Sequence, residues 1–91
     1  MNTYITTSKL LAHTLREYRY RAGLSQADIA RIANVKQSTI SAFENHPEAT
    51  KIETFFKILF ALELELSVQP RPNQNNKYAT QDPNTINNED W

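Results

Sequence analysis

The stretch from residue 24 to residue 45, LSQADIARIANVKQSTISAFEN, constrains this chain more than any other. Ser25 has the short oxygen-bearing side chain of a helix N-cap, which predicts a first short helix over residues 26–33. Ile29 and Ala33 share one face of it, and the small Ala30 beside them lets a second helix backbone come close. Asn34 follows, and asparagine is the non-glycine residue that best tolerates the left-handed backbone a sharp helix exit requires. Val35 turns inward. A second short helix over residues 37–43 buries Ile40 and Phe43 at a spacing of three. Its other face carries Lys36, Gln37, Ser38, Ser41 and Asn45, most of them short or hydrogen-bonding side chains rather than long solvating charges.

Two short helices around a tight turn, with a donor- and acceptor-rich face on the second, read as a helix-turn-helix whose second helix enters the DNA major groove. Lys36, Gln37, Ser38 and Ser41 are the expected base-reading residues, with Gln37 foremost because glutamine can pair in bidentate fashion with adenine. Ser25 and Gln26, at a helix N-terminus, are expected to hold phosphate, together with Thr39 and Asn45. The register resembles the Cro-type (Xre) family of bacterial and phage repressors: Leu24-Ser25-Gln26, then Ile29-Ala30, Val35, and Ser38-x-Ile40-Ser41-x-x-Glu44. That family often has glycine where this chain has Asn34.

Composition bounds the rest. Ninety-one residues suffice for one small domain, and at this size oligomerisation adds useful burial. The absence of cysteine excludes disulfides and thiolate metal sites and fits a reducing cytoplasm. No apolar run approaches the roughly 18 residues of a membrane span, and residues 1–14 lack the regions of a signal peptide. The net charge is zero, but it is unevenly spread. Residues 1–43 hold six cations (Lys9, Arg16, Arg19, Arg21, Arg31, Lys36) against two anions, a net of +4. Residues 44–69 carry −3 and residues 70–91 carry −1. Phosphate attraction needs local rather than net charge, and the basic segment holds the motif.

Residues 1–7 are ambiguous, with a short extended piece possible around Tyr4 and Ile5. Thr7 or Ser8 caps a helix over residues 8–22, whose apolar spacing is Leu11, Leu15, Tyr18 and Ala22. Arg19 and Arg21 in its last turn favour the helix dipole, or reach phosphate, and Gly23 follows at the left-handed position. Residues 45–49 read as a loop, with Pro47 stopping the recognition helix. A fourth helix opens at Thr50 or Lys51 and runs to residue 62, with Ile52, Phe55, Phe56, Leu59 and Leu62 as its stripe.

From residue 62 to residue 69 the period changes to two. Leu64, Leu66 and Val68 alternate with Glu63, Glu65, Ser67 and Gln69. A lone strand leaves its backbone groups unpaired. Its most economical partner is the same strand from a second copy across a two-fold axis; pairing with residues 3–6, or a frayed extension of the helix, are the alternatives. The expected fold class is therefore mainly α: a small four-helix, lambda repressor-like domain over residues 1–69 with one C-terminal strand pairing across a dimer. Residues 70–91, rich in proline and asparagine, form the expected flexible tail.

No catalytic constellation is present. His13 and His46 fall in no metal-ligand spacing, and one glycine cannot build a phosphate-cradling loop. Neither metal nor other cofactor is expected.

Features beyond the motif sharpen the resemblance. Phe43-Glu44-Asn45-x-Pro47 leads to Thr54-Phe55-Phe56-Lys57-Ile58-Leu59, then Leu62-Glu63-Leu64, and a polar tail with Glu89, Asp90 and Trp91. Together these resemble the HipB-type antitoxins over residues 8–69 and the last tail residues. The resemblance implies a homodimer that binds palindromic double-stranded operator DNA, represses its own operon, and neutralises a HipA-type serine/threonine kinase toxin. It also implies a partner for Trp91, the large aromatic of an otherwise polar tail, as an anchor on that toxin. A stand-alone repressor without a toxin, and a protein-interaction adaptor that does not bind DNA, are the rival readings.

Overall fold

The computed structural model describes residues 3–71. Four α-helices order themselves as α1 (Ser8–Arg21), α2 (Gln26–Ala33), α3 (Gln37–Asn45) and α4 (Ile52–Ala61), with a 3-10 turn at Pro47–Ala49 between the last two. The expected residues 70–91 tail, Trp91 included, lies almost wholly outside the described residues.

Each helix begins and ends for local reasons. Thr7, in extended backbone, accepts a hydrogen bond from the Leu10 amide at 3.0 Å and caps α1. Ser25 caps α2 in a reciprocal box: its Oγ accepts from the Asp28 amide at 3.0 Å, while Asp28 Oδ2 accepts from the Ser25 amide at 2.8 Å. Three helices then end in one device. A residue with positive φ turns the chain, and the next amide reaches back five residues to a helix carbonyl. Gly23 (φ 72°), Asn34 (φ 61°) and Glu63 (φ 60°) make the turns. Leu24 N–H donates to the Arg19 carbonyl, Val35 N–H to Ala30 and Leu64 N–H to Leu59. The apolar residue after each turn, Leu24, Val35 and Leu64, packs on the core.

The core joins Ala12 and Leu15 of α1, Ile29, Ala30 and Ala33 of α2, Ile40 and Phe43 of α3, and Phe55, Ile58, Leu59 and Ala61 of α4. Phe43, Ile29 and Ile40 are its fully buried large side chains. Each contributes about 1.5–3 kcal/mol by leaving water. The small Ala30 and Ala33 let α2 lie close to both α3 and α4.

Several expectations are corrected. The buried residues of α1 are Ala12, Thr14, Leu15 and Arg19; Leu11 and Tyr18 sit at their edges, and Ala22 is the exposed C-cap. Recognition helix α3 runs two residues further than its apolar pattern, through Glu44 and Asn45. Asn45 Nδ2 donates to the Ser41 carbonyl at 2.9 Å, holding that extra half-turn. Pro47 then ends it, with His46 displaced to φ −139°, ψ 65°. Residues 47–49 form a 3-10 turn where a loop was expected. In α4 the buried stripe is Phe55, Ile58 and Leu59, while Ile52 and Phe56 face out.

The expected alternation also begins later than the sequence suggests, because Leu62 and Glu63 are consumed by the turn that ends α4. Leu64 is half-buried on the core, whereas Leu66 and Val68 are exposed, Val68 at 88%. Among the described residues no strand forms. A single chain offers residues 64–68 no second edge, and an unpaired edge is not stable alone.

Candidate DNA-binding surface

The first turn of α3 is where the fold exposes hydrogen-bonding side chains together. Lys36 stands at the N-cap position in extended backbone (φ −76°, ψ 151°), and Gln37 and Ser38 follow as the first helical residues. All three are exposed and none carries an internal side-chain hydrogen bond. Thr39 and Ser41 are half-buried beside them. Ser41 Oγ accepts from Asn45 Nδ2 at 3.3 Å, so these two candidates are already linked. No side chain caps α3. Thr39 N–H donates to the Lys36 carbonyl at 2.9 Å, which leaves the Gln37 and Ser38 amides for an outside acceptor such as a phosphate oxygen.

Behind this face lies a clamp that the sequence reading did not assign. Arg19 grips the Glu44 carboxylate with both ends of its guanidinium, Nε to Oε2 at 2.8 Å and Nη2 to Oε1 at 3.0 Å. Its Nη1 also donates to the Leu24 carbonyl at 3.0 Å. Gln26 Nε2 donates to the same Glu44 Oε1 at 2.9 Å. One carboxylate thus ties the end of α1, the start of α2 and the end of α3. The Arg19 and Glu44 side chains are only 9% and 5% exposed. Burial pushes the Glu44 carboxyl up, but hydrogen bonds from Arg19 and Gln26 and the charges of Arg19 and Arg16 outweigh it and hold it below the ordinary carboxylate value. The hydrogen bond to Glu44 raises Arg19 in turn. Arg19 serves this pair rather than the helix dipole alone or a phosphate.

The clamp also sets what the phosphate candidates can do. Gln26 is half-buried with its amide nitrogen committed to Glu44, whereas Ser25 is exposed as the α2 cap. Asp28, held low by the Ser25 amide and hydroxyl and by Arg31, pairs with Arg31 at 3.2 Å. Of the six cations in the basic segment, Arg19 and Arg31 are therefore engaged internally. Arg16 is half-exposed, donating to the Tyr20 hydroxyl at 2.9 Å and lying 3.9 Å from Glu44. Arg19 stacks over the same Tyr20 ring, 4.8 Å from its centroid.

The signal for the clamp was present in the periodicity. Arg19 sits four residues after the buried Leu15, and Glu44 four after the buried Ile40. Ionisable residues on two apolar faces that must meet read as a buried pair. Among the described residues no cluster of acidic or histidine side chains could hold a metal, and no helix is long and apolar enough to cross a membrane.

Residues 10–45, the segment that builds this surface, match the helix-turn-helix domain family. Across a longer span the chain is 39% identical to antitoxin HipB of Escherichia coli O6:H1 (strain CFT073) over 71 residues, 78% of this chain and 76% of that one. The chain belongs to the HipB antitoxin family. HipB of Escherichia coli K12 is 43% identical over 58 residues, 64% of this chain and 66% of that one. The fold agrees with solved HipB structures. The HipB chain of a HipA–HipB–O2–O3 complex superposes with a TM-score of 0.72 at 39% identity, covering 74% of this chain and 94% of that one. A HipB–O4 20mer complex gives the same TM-score, identity and coverage. The HipB-like helix-turn-helix fold and non-enzymatic character expected from the sequence therefore stand.

Proposed function

We propose that this HipB-family chain is the antitoxin and autorepressor of a toxin–antitoxin operon, binding palindromic operator DNA as a dimer and neutralising a HipA-type kinase. The observation that carries the reading is the first turn of α3. Lys36, Gln37 and Ser38 stand exposed without internal partners on a helix fixed from behind by the Arg19–Glu44–Gln26 clamp. A preorganised row of this kind can exchange water for base edges without first breaking internal bonds. Lys36, Gln37, Ser38 and Ser41 read bases, while Ser25, Gln26, Thr39 and Asn45 position the phosphate backbone. Gln26 holds Glu44 with one hydrogen of its amide nitrogen and offers the second to phosphate without leaving the clamp.

The homologous complexes with HipA and with operator DNA support both partners. The strand residues Leu64, Leu66 and Val68 pair with a second copy, and residues 1–69 act as the DNA-binding and dimerising unit. Trp91, which lies outside the described residues, acts as an anchor on the kinase. Such a protein works in the cytoplasm, on the nucleoid through its DNA contacts. The deciding experiment purifies full-length protein with the co-encoded kinase and the upstream DNA of its operon. The reading requires a ternary complex and reporter repression relieved by loss of the operator palindrome. DNA binding with no kinase capture would leave a stand-alone repressor in its place.

A further inference from the structure

Arg16 is an exposed cation that the fold nevertheless holds in place. Its side chain is 47% accessible. Its Nε donates to the Tyr20 hydroxyl, one turn along α1, at 2.9 Å, and its guanidinium carbon lies 5.5 Å from the centre of that ring. An unanchored surface arginine spreads over many rotamers, so this hold gives the side chain a direction. Nε is spent on Tyr20, while neither Nη donates a hydrogen bond among the described residues. The terminal fork left open is the part of arginine that matches two oxygens of one phosphate.

We propose that Arg16, positioned by Tyr20, grips a backbone phosphate of the bound duplex, so that α1 adds a DNA contact from outside the helix-turn-helix. This rests on the DNA-binding reading above and adds two residues to it. Location is the first argument. Arg16 Nε lies 3.9 Å from Glu44 Oε1, and the same oxygen accepts from Gln26 Nε2 at 2.9 Å. Two groups on one oxygen are neighbours, so the Arg16 fork stands beside the Gln26 amide that offers its second hydrogen to phosphate. Charge is the second. Arg19 already neutralises Glu44 through two hydrogen bonds, which leaves the positive charge of Arg16 uncancelled at the surface. Support of Glu44 is the competing role for Arg16. It would use the charge but not the terminal nitrogens, and at 3.9 Å from a half-exposed side chain it is weak.

The contact is tested on the full-length chain by fluorescence anisotropy over a salt series, against the upstream DNA of its operon and an unrelated duplex of equal length, with urea unfolding of each variant alongside. Arg16→Gln weakens binding to both duplexes and reduces the steepness of log K against log salt by about 0.9 for each protomer bound. Arg16→Lys keeps the charge and the wild-type slope. Tyr20→Phe keeps the ring that stacks on Arg19 and removes only the hydroxyl. It weakens binding in the wild type and has no further effect in an Arg16→Gln background, the coupling expected of a residue that acts through Arg16. An Arg16→Gln protein with the wild-type salt slope overturns the phosphate contact; if its urea midpoint falls as well, Arg16 serves Glu44 instead. Equal Tyr20→Phe effects in the two backgrounds overturn the positioning role. A wild-type chain that binds neither duplex overturns the DNA-binding reading itself.

Discussion

Glu44 is the residue on which scaffold and reading face meet, and removing its charge has a calculable consequence. In Glu44→Gln the side chain keeps its size and one carbonyl oxygen. The second oxygen becomes an amide that presents hydrogens to Arg19. The guanidinium then loses its counter-charge in a site where its side chain is 9% exposed, too little for water to replace the lost partner. Breaking one side of a buried pair costs about 3–5 kcal/mol. A domain of about 70 residues has only roughly 3–10 kcal/mol in total, at ~0.05–0.15 kcal/mol per residue. Glu44→Gln therefore loses a large share of its stability, read as a lower urea midpoint with an unchanged slope at fixed protein concentration. Replacing both partners, Arg19→Met with Glu44→Leu, leaves no stranded charge and recovers most of the loss.

The same pair predicts a pH dependence of definite sign. The folded-state pKa of Glu44 is depressed, so on acidification the unfolded chain takes up this proton first. The stabilisation is complete above the unfolded-state pKa and is lost as pH falls through the lower folded-state value. The acid limb of the stability curve steepens in the wild type and flattens in Glu44→Gln. A loss below about 1 kcal/mol, the range of exposed ion pairs, with an unchanged acid limb would refute the clamp.

Three further outcomes follow from named atoms. Gln37→Ala should cost about 1–3 kcal/mol per half-site and relax preference at one base pair in a binding selection, whereas Lys36→Ala should weaken all sequences alike and flatten the salt dependence. Glu63 holds φ 60° without glycine's freedom; Glu63→Gly should raise stability by up to about 1 kcal/mol in thermal melts, since the left-handed backbone costs other residues roughly 1–2 kcal/mol. Trp91→Ala should weaken kinase binding in calorimetry and leave operator affinity in place, and equal kinase affinity would remove Trp91 as an anchor.

What the sequence made legible was local. Ser25, Asn34 and Gly23 each announce a cap or a turn within a few residues, and the structure places them there. The α2 bounds follow from those signals alone. Glu63 was missed because glutamate carries no turn signature. Its left-handed backbone is imposed by Leu64, whose amide closes on Leu59 while its side chain packs on the core. That turn takes two residues out of the alternation that began at Leu62. The α4 stripe failed for a different reason. With apolar residues at 52, 55, 56, 58, 59, 60 and 62, a single helical period fits more than one face. Only the placement of α2 and α1 decides which side is core.

The clamp shows why charge counted along a sequence misleads even when its conclusion is right. Arg19 belongs to the basic segment and Glu44 opens the acidic one, yet they form one neutral, nearly buried unit. Arg31 also meets Asp28, but in an exposed pair whose arginine side chain is 71% accessible, so its charge is only partly offset. The attraction for phosphate therefore falls on the cations left exposed, Lys36 first, because it stands where α3 begins and its amides have no cap. Glu44 contributes to binding without facing DNA. By holding Gln26 and Arg19 at once, it fixes the start of α2 against the end of α3, and so fixes the angle at which Gln37 meets a groove. A helix-turn-helix has a short turn and little area between its two helices. A buried bidentate pair reaching back to α1 supplies the rigidity that this small contact lacks.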